Sequence, residues 1–288
     1  MMSNHFVVPE GTKVKLKDYP ADFTDGFGKK TDAEGKLQQD IQNLTELQDK
    51  LYAQNTYALL IILQGLDAAG KDSTIKHVMS GVNPSGCQVT NFKVPSEEEL
   101  DHDYFWRYAR AFPERGKIGI FNRSYYEEVL VVRVHPELLE KERIPPTKKI
   151  KSIWSERFRE MNQLERYLVD NGIEVLKFFL HTSKEEQKRR FMARLDAPEK
   201  NWKFSANDVK ERAFWDDYMA AFEDLLSNTS TAHAPWHIIP ADHKWFSRLA
   251  VADAIVRKLT SLNLHYPELN DEQKNALKDA RKILEQEK

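Results

Sequence analysis

Tyr57-Ala-Leu-Leu-Ile-Ile-Leu-Gln-Gly-Leu-Asp-Ala-Ala-Gly-Lys-Asp-Ser73 decides how the rest of the chain is read. Its apolar run from Tyr57 to Leu63 is too short to span a membrane and reads as a strand buried on both faces. The run leads into Gly65-Leu-Asp-Ala-Ala-Gly70-Lys71, the G-x-x-x-x-G-K pattern of a phosphate-binding loop. Thr74-Ile-Lys-His-Val-Met79 then continues as a helix, so the loop sits between strand and helix, as the pattern requires. Such a loop turns backbone N–H groups and a helix N-terminus toward phosphate, while the lysine follows the transferring group. Gly65, Ala68, Ala69, Gly70, Lys71, Asp72 and Ser73 are therefore the expected phosphate-binding residues.

The loop departs from its pattern in one respect. Asp72 follows the lysine where Ser or Thr ordinarily meets Mg²⁺, with Ser73 and Thr74 next in line. Asp67 also lies inside the loop, where a bare carboxylate beside phosphates is repelled unless a divalent cation stands between them. Asp67 is thus expected to bind metal.

Downstream, Cys87–Phe92 alternates as a second strand and Pro95–Leu100 opens a helix that carries Tyr104–Tyr108, with Arg107 a candidate for the cleft. Gly116–Phe121 is a third strand. At its tip Asn122 is a second metal-directed side chain, and Arg123 can grip phosphate oxygens with two parallel hydrogen bonds. Arg133 ends an apolar run, and a buried cation there needs an internal carboxylate or an anionic substrate. Lys148, Lys149 and Lys151 open a long helix that Asn171-Gly172 ends, and Ile173–Leu180 is a fourth strand.

Ser183-Lys-Glu-Glu186 is a capping box for the next helix, on which Arg190 and Arg194, four apart, share a face. From Lys188 to Lys203 six basic residues stand against two acidic ones, in a chain whose net charge is −2. After a phosphate-loop strand, such a segment reads as a basic lid over residues 184–212. Ser205–Asp208 caps a further helix to Leu226, with Arg212 in its second turn. Trp236–Ile239 is a fifth strand and Trp245–Leu262 a closing helix. Pro235 keeps His233 and His237 from sharing a helical face, which argues against a metal site there.

Upstream, residues 1–34 read as an extended arm over the surface, and Leu37, Ile41, Leu44, Leu47 and Leu51 mark an amphipathic helix between 35 and 55. Residues 263–288 form a polar helical tail. With 288 residues, 41% apolar, the chain can bury a full core in one domain, 35–262. Charged residues make up 31% but nearly cancel, which argues against a nucleic-acid binder. The single cysteine, Cys87, fits a reducing compartment, and the opening residues show no signal peptide, so a cytoplasmic protein is expected.

Strands alternating with helices give an α/β three-layer sandwich, a five-stranded parallel sheet of phosphate-loop kinase type with a helical lid. The loop, Asn122–Glu127 and the basic helix all fall at the strands' C-terminal ends. Phosphoryl transfer is the reaction class that this convergence supports.

Gly65–Ser73 (GLDAAGKDS), Phe121–Glu137 (FNRSYYEEVLVVRVHPE), Glu185–Ser205 (EEQKRRFMARLDAPEKNWKFS) and His233–Arg248 (HAPWHIIPADHKWFSR) together resemble the second polyphosphate kinase family, in that family's order. The resemblance runs from about Gly35 to Leu262. It implies an enzyme that moves phosphate reversibly between inorganic polyphosphate and AMP, ADP and ATP, with GMP and GDP as further acceptors. It implies Mg²⁺, or Mn²⁺ in its place, and a homodimer or homotetramer with no nucleic-acid or membrane partner. By the same resemblance Asp67 and Lys71 hold metal and phosphate, while Asn122, Arg123, Arg190 and Arg194 clamp the transferring group. Many members carry Asp at the position of Asn122, and others carry Asn near Glu127. The pairing of Asn122 with Glu127 resembles the subgroup acting on both nucleoside mono- and diphosphates.

A polyphosphate chain has about one charge per phosphate and no base to read, so a row of Lys and Arg should hold it with strong salt dependence. Lys76, Arg123, Arg133, Lys188, Arg190, Lys200, Lys203 and Arg212 are the candidates. Two other readings compete. An ATP-dependent nucleoside monophosphate kinase would need a second base-specific pocket. A non-catalytic phosphate-binding module would need no metal-organising carboxylate in the loop.

Overall fold

The computed structural model describes residues 4–145, 152–203 and 205–287, without the side chains of Asn4, Lys200, Lys203 and Ala206. The expected strands are present as β1 (Ala58–Gln64), β2 (Cys87–Asn91), β3 (Ile118–Asn122), β4 (Ile173–His181) and β5 (Trp236–Pro240). They form one sheet in the order β2-β3-β1-β4-β5, with every neighbouring pair parallel.

Along the chain the helices are α1 (Lys30–Gln54), α2 (Lys71–Val78), α3 (Glu97–Leu100), α4 (Trp106–Ala109), α5 (Val131–Val134) and α6 (Ile153–Asp170). They continue with α7 (Lys184–Leu195), α8 (Ala206–Glu211), α9 (Trp215–Thr229), α10 (Lys244–Ser261) and α11 (Asp271–Gln286). The sheet divides two cores, which explains the unbroken apolar run of β1. Leu59, Ile61 and Leu63 pack with residues of α1, α2 and α10, whereas Leu60 and Ile62 pack with residues of α6 and α9.

Several boundaries differ from the sequence reading. The helix expected after Pro95 is two single turns, α3 and α4, and the one expected from Ser205 to Leu226 breaks at a 3-10 turn over Arg212–Phe214. Lys148, Lys149 and Lys151, expected to open α6, lie outside the described residues. The N-terminal arm, expected to lie extended over the surface through residue 34, gives way to α1 at Lys30 and is partly core. Val8, Val14 and Leu16 are buried in the α6/α9 core, and Val8 N–H donates to Trp236 O at 2.8 Å. By lying along β5 the arm covers part of an edge that would otherwise present unpaired backbone groups.

At Ser183 the N-cap is present, its hydroxyl accepting from Glu186 N–H. The reciprocal half of the capping box is absent there. Asp242 takes the Ser183 N–H, which frees the Glu186 carboxylate for Arg189 and Arg190.

Candidate active site

Five successive carbonyls of the loop after β1 are held by side chains. Lys71 Nζ donates to Gly65 O at 2.6 Å and to Leu66 O at 3.3 Å. From α7, Gln187 Nε2 donates to Asp67 O at 2.9 Å, and Arg190 Nη1 donates to Ala68 O at 2.9 Å and Ala69 O at 2.8 Å. No side chain caps the N-terminus of α2. Pinning the carbonyls in this way fixes the loop's peptide planes and leaves the start of α2 as a site for an anion.

The backbone supports this geometry at two unusual positions. A Cβ on Gly65 would stand 3.0 Å from Leu180 O and 3.1 Å from Ala69 Cβ, so only glycine lets the loop pack on β4. Ala68 takes the left-handed conformation at φ 63°, which a residue with a Cβ seldom adopts without such restraint.

Lys71 is buried, and its pKa falls to about 8 because burial disfavours the ammonium and Arg123 repels it, against the pull of Asp67, Glu127 and Asp72. Arg123, at the tip of β3 and also left-handed (φ 66°), places Nη2 2.7 Å from Asp67 Oδ1 and Nη1 3.4 Å from Glu127 Oε2. With its amide turned to satisfy its neighbours, Gln64 donates to Glu127 Oε1 at 2.9 Å and accepts from Ser124. Gln64, Asp67, Arg123 and Glu127 thus line a cleft together with Arg212, Trp215 and Tyr218. Asp208 and Glu211 also face this cleft, and burial together with Asp67 pushes the Asp208 carboxyl up. A polyanion entering beside these carboxylates needs added positive charge, and the available donors are hard oxygens of the kind that Mg²⁺ and Mn²⁺ accept.

Asn122 sits one residue before Arg123, donating to Asp72 Oδ1 and Asn91 Oδ1, each at 2.7 Å. Its own Oδ1 is buried without a hydrogen-bond partner. An orphaned oxygen beside a carboxylate is an arrangement that a cation would satisfy.

The structure brings together Gly65, Asp67, Ala68, Ala69, Gly70, Lys71, Asp72, Asn122, Arg123 and Glu127 as expected from sequence. It assigns Arg190 otherwise. The arginine was expected to close over the transferring group, yet its Nε meets Glu186 Oε1 at 2.6 Å and its Nη2 donates to Ala241 O and Asp242 O. With Nη1 on the loop, all five N–H donors are engaged and the side chain is buried behind the loop.

Other basic residues are spread more widely. Arg133, expected to be a buried cation, is only half-buried and pairs at 2.5 Å with the partly exposed carboxylate of Asp224, and Arg107 donates to Lys93 O and packs over Phe92 and Tyr108. Arg194 lies 3.7 Å from Asp208, and Arg212 donates to Gln187 Oε1 at 2.5 Å. Ser73 faces α10, where its hydroxyl receives Arg248 Nη2 at 2.7 Å. Lys76 and Lys188 are exposed, whereas the side chains of Lys200 and Lys203 lie outside what is described. Sequence reasoning missed Gln187, although its place three residues before Arg190 puts it on the same helical face. Asp208, Glu211, Trp215 and Tyr218 carried no local signal.

The chain is similar to known proteins over nearly its whole length. The family model described as Polyphosphate kinase 2 (PPK2) matches residues 28–266. The chain is 49% identical over 283 residues to the ADP-polyphosphate phosphotransferase of Rhodopseudomonas palustris, covering 98% of both chains. It is 43% identical over 268 residues to the AMP/ADP-polyphosphate phosphotransferase of Meiothermus ruber, covering 93% of this chain and 96% of the other. The crystal structure of polyphosphate kinase 2 from Arthrobacter aurescens TC1 matches with a TM-score of 0.85 at 36% identity, covering 96% of this chain and 99% of that one.

Proposed function

The chain belongs to the polyphosphate kinase 2 family and is a polyphosphate-dependent nucleotide kinase; on that premise we propose that it transfers phosphate reversibly from inorganic polyphosphate to AMP and ADP. The observation that carries the proposal is the loop whose five carbonyls are pinned by Lys71, Gln187 and Arg190, beside Arg123 and Glu127. Phosphoryl transfer demands little covalent chemistry from the protein, and positioning with charge neutralisation supplies most of the catalysis.

In this mechanism Lys71 and Arg123 neutralise the equatorial oxygens of the transferring group, and the amides of the loop and the first turn of α2 orient it for in-line attack. Asp67 and the Asn122 cluster would hold Mg²⁺ or Mn²⁺, which supplies further neutralisation of the phosphates when bound. Glu127, held by Gln64 and Arg123, is the residue this reading assigns to the acceptor side. Arg190 and Gln187 hold the loop rather than the substrate, and the exposed cations Lys76 and Lys188, with Arg194 and Arg212, are left to attract the polyphosphate chain.

The acceptor assignment draws on the pairing of Asn122 with Glu127 and on the Meiothermus relative, named for both AMP and ADP. GMP and GDP are further candidates, since a Pseudomonas aeruginosa relative, 38% identical over 191 residues, is named a GDP-polyphosphate phosphotransferase. We further propose a cytoplasmic homodimer or homotetramer, which light scattering would test. No described helix is long and apolar enough to cross a membrane, and α11 leaves Leu277, Ile283 and Leu284 exposed.

Phosphorus NMR of the purified protein with Mg²⁺, AMP and polyphosphate, with ATP absent, tests the function. Successive appearance of ADP and ATP as polyphosphate shortens is the expected result. Conversion of added ADP alone would overturn the AMP assignment. A reaction that waits for ATP would favour an ordinary nucleoside monophosphate kinase.

A further inference from the structure

In P-loop nucleotide hydrolases a Ser or Thr after the loop lysine and an Asp from a neighbouring strand both sit at the metal. This chain has Asp72 after the lysine and Asn122 at the tip of β3, and the two touch, Asn122 Nδ2 donating to Asp72 Oδ1 at 2.7 Å. The contact is that of the hydroxyl and the carboxylate with donor and acceptor exchanged between strand and helix. Asn122 cannot turn its amide over, because Oδ1 would then face two acceptor oxygens, Asp72 Oδ1 and Asn91 Oδ1.

Neither of the next two residues replaces the missing hydroxyl. Ser73 is turned to Arg248 on α10, and Thr74 is 2% exposed within the core side of α2. Asp72, by contrast, is exposed in the first turn of α2, next to Lys71.

We propose that Asp72 is the metal-binding carboxylate of this cluster, and that Asn122 is its positioning residue. Asn122 Nδ2 aims Asp72, and the buried, unpartnered Asn122 Oδ1 adds a second oxygen to the same cradle. The carboxylate that other P-loop enzymes carry on the strand thus stands on the helix here, and the neutral side chain stands on the strand. The ion served is the small, hard divalent cation that accompanies phosphates. This inference rests on the phosphotransferase reading above and says which residues complete its metal site.

The test is Mn²⁺ binding by electron paramagnetic resonance in the presence of ADP, on the full chain, for Asp72→Asn, Asn122→Asp and the double exchange. Asp72→Asn is isosteric and exposed, so it is expected to keep the wild-type melting temperature while Mn²⁺ affinity falls by at least the roughly 10- to 100-fold that loss of an outer-shell partner costs. The double exchange restores one carboxylate and one amide in contact, and affinity should return to within a few-fold of wild type. Unchanged affinity in Asp72→Asn, or a folded double variant that binds no better than Asp72→Asn, would overturn the proposal. The titration contains no polyphosphate, so failure of the donor assignment would show in the NMR experiment and leave this result standing.

Discussion

Lys71 Nζ lies 2.6 Å from the carbonyl oxygen of Gly65, six residues back along the loop that it closes. The lysine is therefore both a strut of the phosphate cradle and its principal buried cation, and the second role is costly. Burial, with Arg123 nearby, lowers its pKa from 10.5 to about 8.

A pH profile follows from that shift. Above about pH 8 the free enzyme increasingly carries a neutral Lys71 and attracts polyphosphate less. Because kcat/KM reports the free enzyme, it should fall above about pH 8. A bound polyanion favours the ammonium, so kcat should hold to higher pH. Initial rates over pH 6.5–10 test this, and parallel profiles for both parameters would remove Lys71 as the titrating group.

Lys71→Ala should reduce turnover on the order of 10³-fold or more, the range for a cation on the transferring phosphoryl group. Its melting temperature should not fall, since removing a buried, desolvated charge offsets the two lost hydrogen bonds. Calorimetry beside a coupled assay separates the two effects.

Arg190→Lys should fail as a conservative change. An ammonium has three donors and no fork, whereas Arg190 spans Glu186 and four backbone carbonyls with five. Losing that network leaves buried acceptors unpaired, with an expected cost of about 3–5 kcal/mol, and frees the loop. Thermal unfolding and kcat should decline together in both Arg190→Lys and Arg190→Ala. Full activity in the lysine variant would show that the loop holds its shape without the fork.

Lys177, in register with Ile62 of β1, forms a fully buried pair with Glu165 at 2.7 Å, completed by Tyr125, Tyr126 and Thr229 O. Lys177→Met should cost about 3–5 kcal/mol by leaving the Glu165 charge without its cation, and Glu165→Leu added to it should recover part of that loss, since the Tyr125 and Tyr126 hydroxyls then lose their shared acceptor. Denaturant titrations of the two single variants and the double variant check this. An additive double variant would contradict the coupling.

Glu128 lies beside Glu127 but points into the core, where burial and then Glu142 push its pKa up to about 7, against Arg157 and the Tyr108 hydroxyl. A carboxyl raised from 4.5 binds more protons folded than unfolded between pH 4.5 and about 7, so its ionisation destabilises the fold as pH rises through that window. Glu128→Gln keeps an acceptor for Tyr108 and should gain on the order of 2–3 kcal/mol over wild type at pH 8, with little gain at pH 4.5. Equal differences at both pH values would show that Glu128 is not the titrating group.

Much of the fold was legible because its signals are local. The apolar run of β1 predicts a two-faced burial that Leu59 and Leu60 fulfil in opposite cores. Helix breaks were harder. Nothing between Ser205 and Leu226 resembles a stop signal, and the 3-10 turn at Arg212–Phe214 accompanies a contact of Arg212 with Gln187 and Lys184.

The sequence by itself determined the phosphate-binding loop and the parallel sheet, because spacing and hydrophobic pattern are properties of contiguous residues, and its four motif blocks carried the resemblance to the family. Only the tertiary structure decided what each charged side chain does. Arg190 and Arg123 look alike as isolated arginines, but one is consumed by five acceptors behind the loop and the other faces the cleft between Asp67 and Glu127. Besides one carboxylate four residues away in each case, the difference is made by partners 51 to 122 residues distant in the chain. A buried cation's role depends on which acceptors reach it first, and that ordering exists only once the sheet has brought β1, β3 and α7 together.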